Sequence, residues 1–220
     1  MAETPHTIRL WDLPLRLFHW LLVVAVAAAI GTGLAGGDWM TWHQRAGLSI
    51  AGLLSFRLVW GVIGSETARF RTFVRGPGAI WAYLQGRWQG IGHNPLGSLS
   101  VVAILLVLGV QVGTGLFTND EIAFTGPLAS LVSEDTSLWL TGKHRLLVYG
   151  VYALLALHVT AIVGYRVVKR VALVPPMVHG RLDVPAHQPA PRAAARWAWP
   201  VAVLIAVAAV LAAAGAFTAR

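Results

Sequence analysis

The chain has 220 residues, 56% of them hydrophobic and only 12% charged. An average soluble domain carries about 25% charged residues, so there is too little polar surface here to cover the apolar side chains in water. Cysteine is absent, against eight His and ten Trp, which excludes disulfides, thiolate metal sites, iron–sulfur clusters and thioether-linked haem.

A membrane-crossing helix needs about 20 consecutive apolar residues, and five runs approach or meet that length. The first, Leu17–Leu34, follows Arg16 and closes at Gly36, Gly37 and Asp38. Arg9 and Arg16 ahead of an apolar run have the outline of a signal peptide. The run is too long for one and has His19 near its start, so a retained first helix is predicted. Gly31, Gly33 and Gly36 fit G-x-G-x-x-G by letter, yet they end an apolar helix instead of joining a strand to one, which argues against dinucleotide binding.

The second run, His43–Ile63, carries Arg57 in its lower half. After it, Pro77 precedes Ile80, Trp81, Leu84 and Trp88 at helical spacing, which predicts a short helix lying in the membrane interface. An ordinary loop with scattered aromatics is the alternative. The third run, Leu96–Phe117, holds no charge, and the fourth, Leu146–Tyr165, is followed by Arg166, Lys169 and Arg170. From Val174 to Arg192 the chain contains Pro175, Pro176, Pro185, Pro189 and Pro191, which reads as an extended linker. The fifth run, Trp197–Phe217, is rich in Ala and Val and has no His and no interior charge, so it is expected to pack against the bundle or a partner.

With the N-terminus inside, five spans place thirteen Lys and Arg on the inner side and four (Arg45, Lys143, Arg145 and Arg220) on the outer side. Counting acids, the split is +9 inside and −1 outside. The formal net charge of +8 is therefore a topology signal, and nucleic-acid binding is not needed to explain it. The C-terminus is expected outside.

Polar groups at membrane depth are costly unless they are used, and four His stand there. His144 and His158 are fourteen residues apart, about four helical turns, so both project from one face about 21 Å apart along the axis. Antiparallel packing puts His19 at the level of His158 and His43 at the level of His144. Two imidazole pairs on different helices, one per leaflet, are what bis-histidine ligation of two haems requires. The alternatives are hydrogen bonds between neighbouring helices and a non-haem metal held by the His side chains. His6, His93, His179 and His187 are read as solvated loop or tail residues, with His93 also weighed as an interface residue.

Haem propionates need cations. Arg57, fourteen residues after His43, falls on the same face near the inner pair, with snorkelling to the interface as its alternative role. Arg16 is a second inner candidate, and Arg45, Lys143 and Arg145 flank the outer pair. Gly31, Gly33, Gly47, Gly52, Gly109, Gly113, Gly115 and Gly150 leave room for a large planar group, and serve plain helix packing equally well.

At these residues the chain resembles the bacterial cytochrome b561 family, related to the cytochrome b subunits of nickel–iron hydrogenases. The matching stretches are Trp11 to Trp20, Trp42 to Arg45, Phe56 to Gly61, Phe73 to Pro77, Gly92 to Gly97, Thr114 to Asp120 and the His144/His158 pair. The resemblance implies an all-α integral membrane bundle, with a four-helix haem-binding domain over residues 1–172. It implies two non-covalent haem b groups, one ligated by His19 and His158 and the other by His43 and His144. A Pro-rich cytoplasmic linker (173–196) and an additional C-terminal transmembrane helix (197–220) depart from the family core. Their expected role is to seat a partner subunit or a second copy of the chain.

The function implied is electron transfer in the bacterial inner membrane, between the quinone pool and a periplasmic cytochrome or other redox subunit. Alternatives are a superoxide:quinone oxidoreductase at the outer face and a haem-bearing anchor without activity of its own. Lipid is the remaining expected partner. The residues do not name a quinone site or a catalytic residue.

Overall fold

The computed structural model describes residues 5–122 and 124–215 and is mostly helical. In chain order, strand β1 (His6–Arg9) leads into helix α1 (Leu13–Ala35), followed by α2 (Met40–Ile63), the single turn α3 (Phe70–Phe73) and α4 (Pro77–Leu84). Then come α5 (Pro95–Gly115), α6 (Glu134–Val167), α7 (Val174–His179), strand β2 (Arg181–Val184) and α8 (Ala198–Ala213). Glu3 and Arg220, counted in the charge split, lie outside the described residues, as does Phe217 at the end of the fifth apolar run.

Four helices are long and apolar enough to cross a membrane: Leu13–Ala35, Gly37–Ile63 (α2 with the turn before it), Pro95–Gly115 and Glu134–Val167. Their boundaries have local causes. Asp12 caps α1 by accepting from the Leu15 amide at 2.7 Å, and Pro14 sits in the first turn, where a missing N–H costs nothing. Gly36 and Gly37 adopt positive φ, 65° and 52°, and reverse the chain into α2 within a few residues. Asn94 caps α5 ahead of Pro95, and Ser133 caps α6 ahead of Glu134 and Asp135, whose charges suit a helix N-terminus. The fourth helix thus starts twelve residues before the apolar run and carries that polar extension beyond one end of the bundle.

The bundle is inside-out relative to a soluble protein. Leu21, Val24, Leu106, Leu157 and Val163 are exposed, whereas buried positions include Arg57, Ser98 and Ser137. Two apolar clusters run along the axis. Leu10, Trp11, Leu15, Phe18 and Trp60 pack at the end nearer the N-terminus, here the proximal end, with Ala198 and Ala202 of α8. Val26, Ile50, Leu54, Leu108 and Val151 join α1, α2, α5 and α6 in the middle.

The fifth apolar run forms a helix of only 16 residues, about 24 Å long and short of the roughly 30 Å hydrocarbon core. It ends before Gly215, whose φ of 76° belongs to a helix stop. It packs on α2: a Cβ on Gly52 would lie 2.6 Å from Val210.

The segment expected as an extended linker is extended only in part. Pro175 and Pro176 occupy the first turn of α7, the one place in a helix that tolerates them. β2 then pairs antiparallel with β1, with His6 opposite Val184 and Arg9 opposite Arg181. This ribbon, with Leu10 donating to the Gly180 carbonyl at 2.8 Å, ties the chain's first strand to the segment after α6.

The short helix expected after the second apolar run appears as α4, with Trp81 and Leu84 exposed and Ile80 half-buried. Trp88 lies beyond it.

Candidate functional site

At the distal end, His43 of α2 and His144 of α6 meet edge to face, ring centres 6.0 Å apart at 87°. Each ring is held by main chain. His43 Nδ1 lies 2.8 Å from the Ala29 carbonyl of α1, and His144 Nδ1 lies 2.9 Å from the Gln111 carbonyl of α5. A carbonyl oxygen only accepts, so each Nδ1 carries a proton, and in the neutral ring the lone pair then sits on Nε2. That is how proteins prepare imidazoles as metal ligands.

The rings rest against two glycines. A Cβ on Gly33 would lie 2.9 Å from His43 Nδ1, and one on Gly115 would lie 2.9 Å from His144 Cε1. Gly52 instead serves helix packing, while Gly31, Gly47, Gly109 and Gly113 have nothing within 4 Å of a would-be side chain.

Both imidazoles border a cavity of about 370 Å³ enclosed by α1, α2, α5 and α6, walled by Val26, Ile50, Leu108 and Val151 among others. Gln111 stands at its side: its Nε2 donates to the His144 carbonyl at 3.1 Å and lies 3.3 Å from His144 Nε2, while its Oε1 is buried without a partner. Arg145 also lines the cavity. Arg45 and Lys143 are exposed and turned outward, Arg45 over the Trp42 ring at 4.7 Å and Lys143 over Trp139 at 5.2 Å.

At the proximal end, His19 of α1 and His158 of α6 are half-buried and within electrostatic reach of each other. His19 Nδ1 is enclosed and has no hydrogen-bond partner. Arg57 does not snorkel: it is 2% exposed, its guanidinium carbon 4.6 Å from the Phe70 ring centre and 5.6 Å from that of Phe73, and its Nη1 has no partner. Asp12 interacts with it electrostatically, but the Asp12 oxygens already accept from the Leu15 amide and from Trp60 Nε1 at 3.0 Å. Arg16 turns to the segment after α6 and donates to the Val178 carbonyl.

His93 corrects the sequence reading. It is not a solvated loop residue; it packs 4.7 Å from both Trp11 and Phe73, ring centre to ring centre, with its Nδ1 enclosed and unpartnered. Burial, reinforced by the charges of Arg57, His158 and His19, pushes its imidazole down to about 3, so the ring is neutral at physiological pH. The sequence signals are its place beside Asn94 and Pro95 at the start of a span and its membership of the family-like stretch Gly92 to Gly97. His6 is exposed on β1, and His179 ends α7, where its Nδ1 accepts from the Arg181 amide at 3.1 Å.

Among the described residues, no three His, Asp or Glu side chains converge as a metal-ion site. The chemistry on offer is paired imidazoles, at one end facing an apolar cavity and at the other in the end of the bundle that also buries Arg57. This donor set fits a b-type haem. The Nε2 atoms at the distal end can bind iron, the glycine-backed cavity can take part of a flat macrocycle, and the unpartnered Arg57 can meet a carboxylate.

A family model described as prokaryotic cytochrome b561 matches residues 10–180. The comparisons with curated proteins and with solved structures gave no significant match.

Proposed function

The chain belongs to the prokaryotic cytochrome b561 family, and on that premise we propose a di-haem b cytochrome that carries electrons between membrane quinone and a periplasmic or membrane redox partner. Membership itself carries the coarser part, a haem b electron-transfer protein of a bacterial membrane. In the finer reading His43 and His144 ligate the distal haem, and His19 and His158 the proximal one. The observation that carries it is the distal pair: two imidazoles on different helices, each with Nδ1 committed to a carbonyl, at one cavity between four helices.

Haem, when bound, supplies the one-electron chemistry, and the protein tunes it through axial ligands, hydrogen bonds and burial. The Ala29 and Gln111 carbonyls fix the tautomer and orientation of the distal imidazoles. Val26, Ile50, Leu108 and Val151 wall the cavity and keep its dielectric low. Arg57 supplies a buried positive charge at the proximal end, where Arg16 is the weaker candidate because it is bonded to Val178. At the distal end Arg145 is best placed, with Arg45 and Lys143 stacked on Trp42 and Trp139 at the rim.

We read residues 1–172 as the haem domain, with the N-terminus cytoplasmic by the charge asymmetry and the distal end periplasmic. Residues 173–196 connect it to an additional helix that seats a partner or a second copy. Asp120 and Arg145 both line the distal cavity, so its mouth carries charges of both signs. That favours an uncharged quinone or a protein partner over selective capture of a small anion such as superoxide.

The test is to offer a quinol analogue to the purified chain alone. Reduction of the haem without any partner is expected. Haem that stays oxidised, although dithionite reduces it, would make the chain an anchor whose activity lies in another subunit.

A further inference from the structure

Two unpartnered polar atoms at the proximal end belong to side chains packed on the same ring. Arg57 Nη1 and His93 Nδ1 are both enclosed and without hydrogen-bond partners. Their groups share one support, Phe73, whose ring centre lies 5.6 Å from the guanidinium carbon and 4.7 Å from the His93 ring centre. Trp11 also packs on His93 at 4.7 Å, and Phe70 packs on Arg57 at 4.6 Å. A buried guanidinium with an unmade hydrogen bond is expensive; Asp12, the acid whose charge it feels, accepts from Leu15 and Trp60 and leaves Arg57 Nη1 unpartnered. Arg57 only donates, and a neutral imidazole has one N–H to donate as well. Two donors over one aromatic floor, one of them cationic, call for a carboxylate.

We propose that His93 acts with Arg57 as a hydrogen-bond donor to a carboxylate of the proximal haem, a propionate, and is a positioning residue and not a third axial ligand. This rests on the di-haem reading and deepens it, since His93 belongs to no ligand pair. His93 comes from the loop before α5, whereas Arg57 is on α2 and the ligands are on α1 and α6. The site therefore draws on every membrane-length helix or its flank. The loop segment Gly92–Asn94, capped onto α5 by Asn94 and bound to α6 through Asn94 Nδ2 and Tyr165 Oη at 2.6 Å, fixes where the imidazole stands.

The experiment is a potentiometric titration of the purified protein, read at the haem α-band, with resonance Raman of the propionate bending modes. Wild type is compared with His93→Leu, His93→Gln and Arg57→Lys. Losing a donor leaves more negative charge on the propionate and favours ferric iron. His93→Leu should therefore shift one of the two redox components about tenfold toward the ferric form, 59 mV for a one-electron couple, and move one propionate mode. His93→Gln, which keeps an N–H, should recover most of the shift and covers the case in which Leu disturbs folding. Arg57→Lys should move the same component.

Both components and both propionate modes unchanged in His93→Leu, with two haems still bound, would overturn the proposal. So would an equal shift of both components, or the loss of one haem in both His93 variants, which would make His93 a ligand. Absence of haem from wild type would instead overturn the di-haem reading beneath it.

Discussion

The two ends of the bundle solve the same problem differently. At the distal end the imidazoles are finished before any ligand arrives: each Nδ1 is bonded to a carbonyl and each ring is backed by glycine. At the proximal end His19 Nδ1, His93 Nδ1 and Arg57 Nη1 are enclosed and unsatisfied among Phe73, Trp11 and neighbouring aromatics. An unmade buried hydrogen bond costs about 1–3 kcal/mol, more for a charged group, so the proximal end is the one that gains most from a bound ligand. On the proposed di-haem reading, the distal site is oriented by main chain and the proximal site would be completed by its ligand.

The strongest way to break this comparison is to remove ligands one at a time. His43→Ala or His144→Ala should leave about one haem per chain with the proximal component intact, and His19→Ala or His158→Ala should do the reverse. Pyridine haemochrome quantification checks both. Loss of a single haem by variants from both pairs together, with the same spectrum, would dissolve the distinction between the ends.

Next in size, Gly115→Val should drive a side chain into the His144 ring and strip the distal haem, because the helix backbone cannot retreat and the ring is tied to Gln111. The count should fall toward one per chain while the proximal potential holds.

Asp12→Ala should act on the other end. It removes the α1 cap, the Trp60 bond and the negative charge felt by Arg57, at a cost of about 1–2 kcal/mol for the cap alone. Thermal loss of the proximal component should occur at lower temperature than in wild type, with the distal component following its usual course. The smallest effect is expected from Gln111→Leu. The Gln111 carbonyl that orients His144 survives any substitution, so distal haem content should change little. A large loss would shift the orienting role from main chain to the Gln111 amide.

Much of this architecture is legible from residue order. The long apolar runs announce the four membrane-length helices, and the fourteen-residue spacing of His144 and His158 places them at two levels. What is not legible depends on contacts between distant segments. His93 looks like a loop residue because its burial is supplied by Trp11, eighty-two residues earlier, and by Phe73. The β1–β2 ribbon joins strands of four residues each, too short to show a period, one ahead of α1 and the other in the Pro-rich segment after α7. The Pro-rich segment hides α7 because proline in a first helical turn has the same letters as proline in a linker. The apolar run of α8 is longer than its helix, since apolar character does not record the stop before Gly215. Arg57 lies between these cases. Its position predicts a place at the proximal level, but only packing against Phe70 and Phe73 distinguishes burial from snorkelling.

The most direct test is pyridine haemochrome quantification of the purified chain combined with a redox titration. Two haems b per chain titrating as two resolvable components are predicted, as two unlike ligand environments require. One haem per chain, or two with a single indistinguishable potential and identical sensitivity to His43→Ala and His158→Ala, would contradict the two-level account.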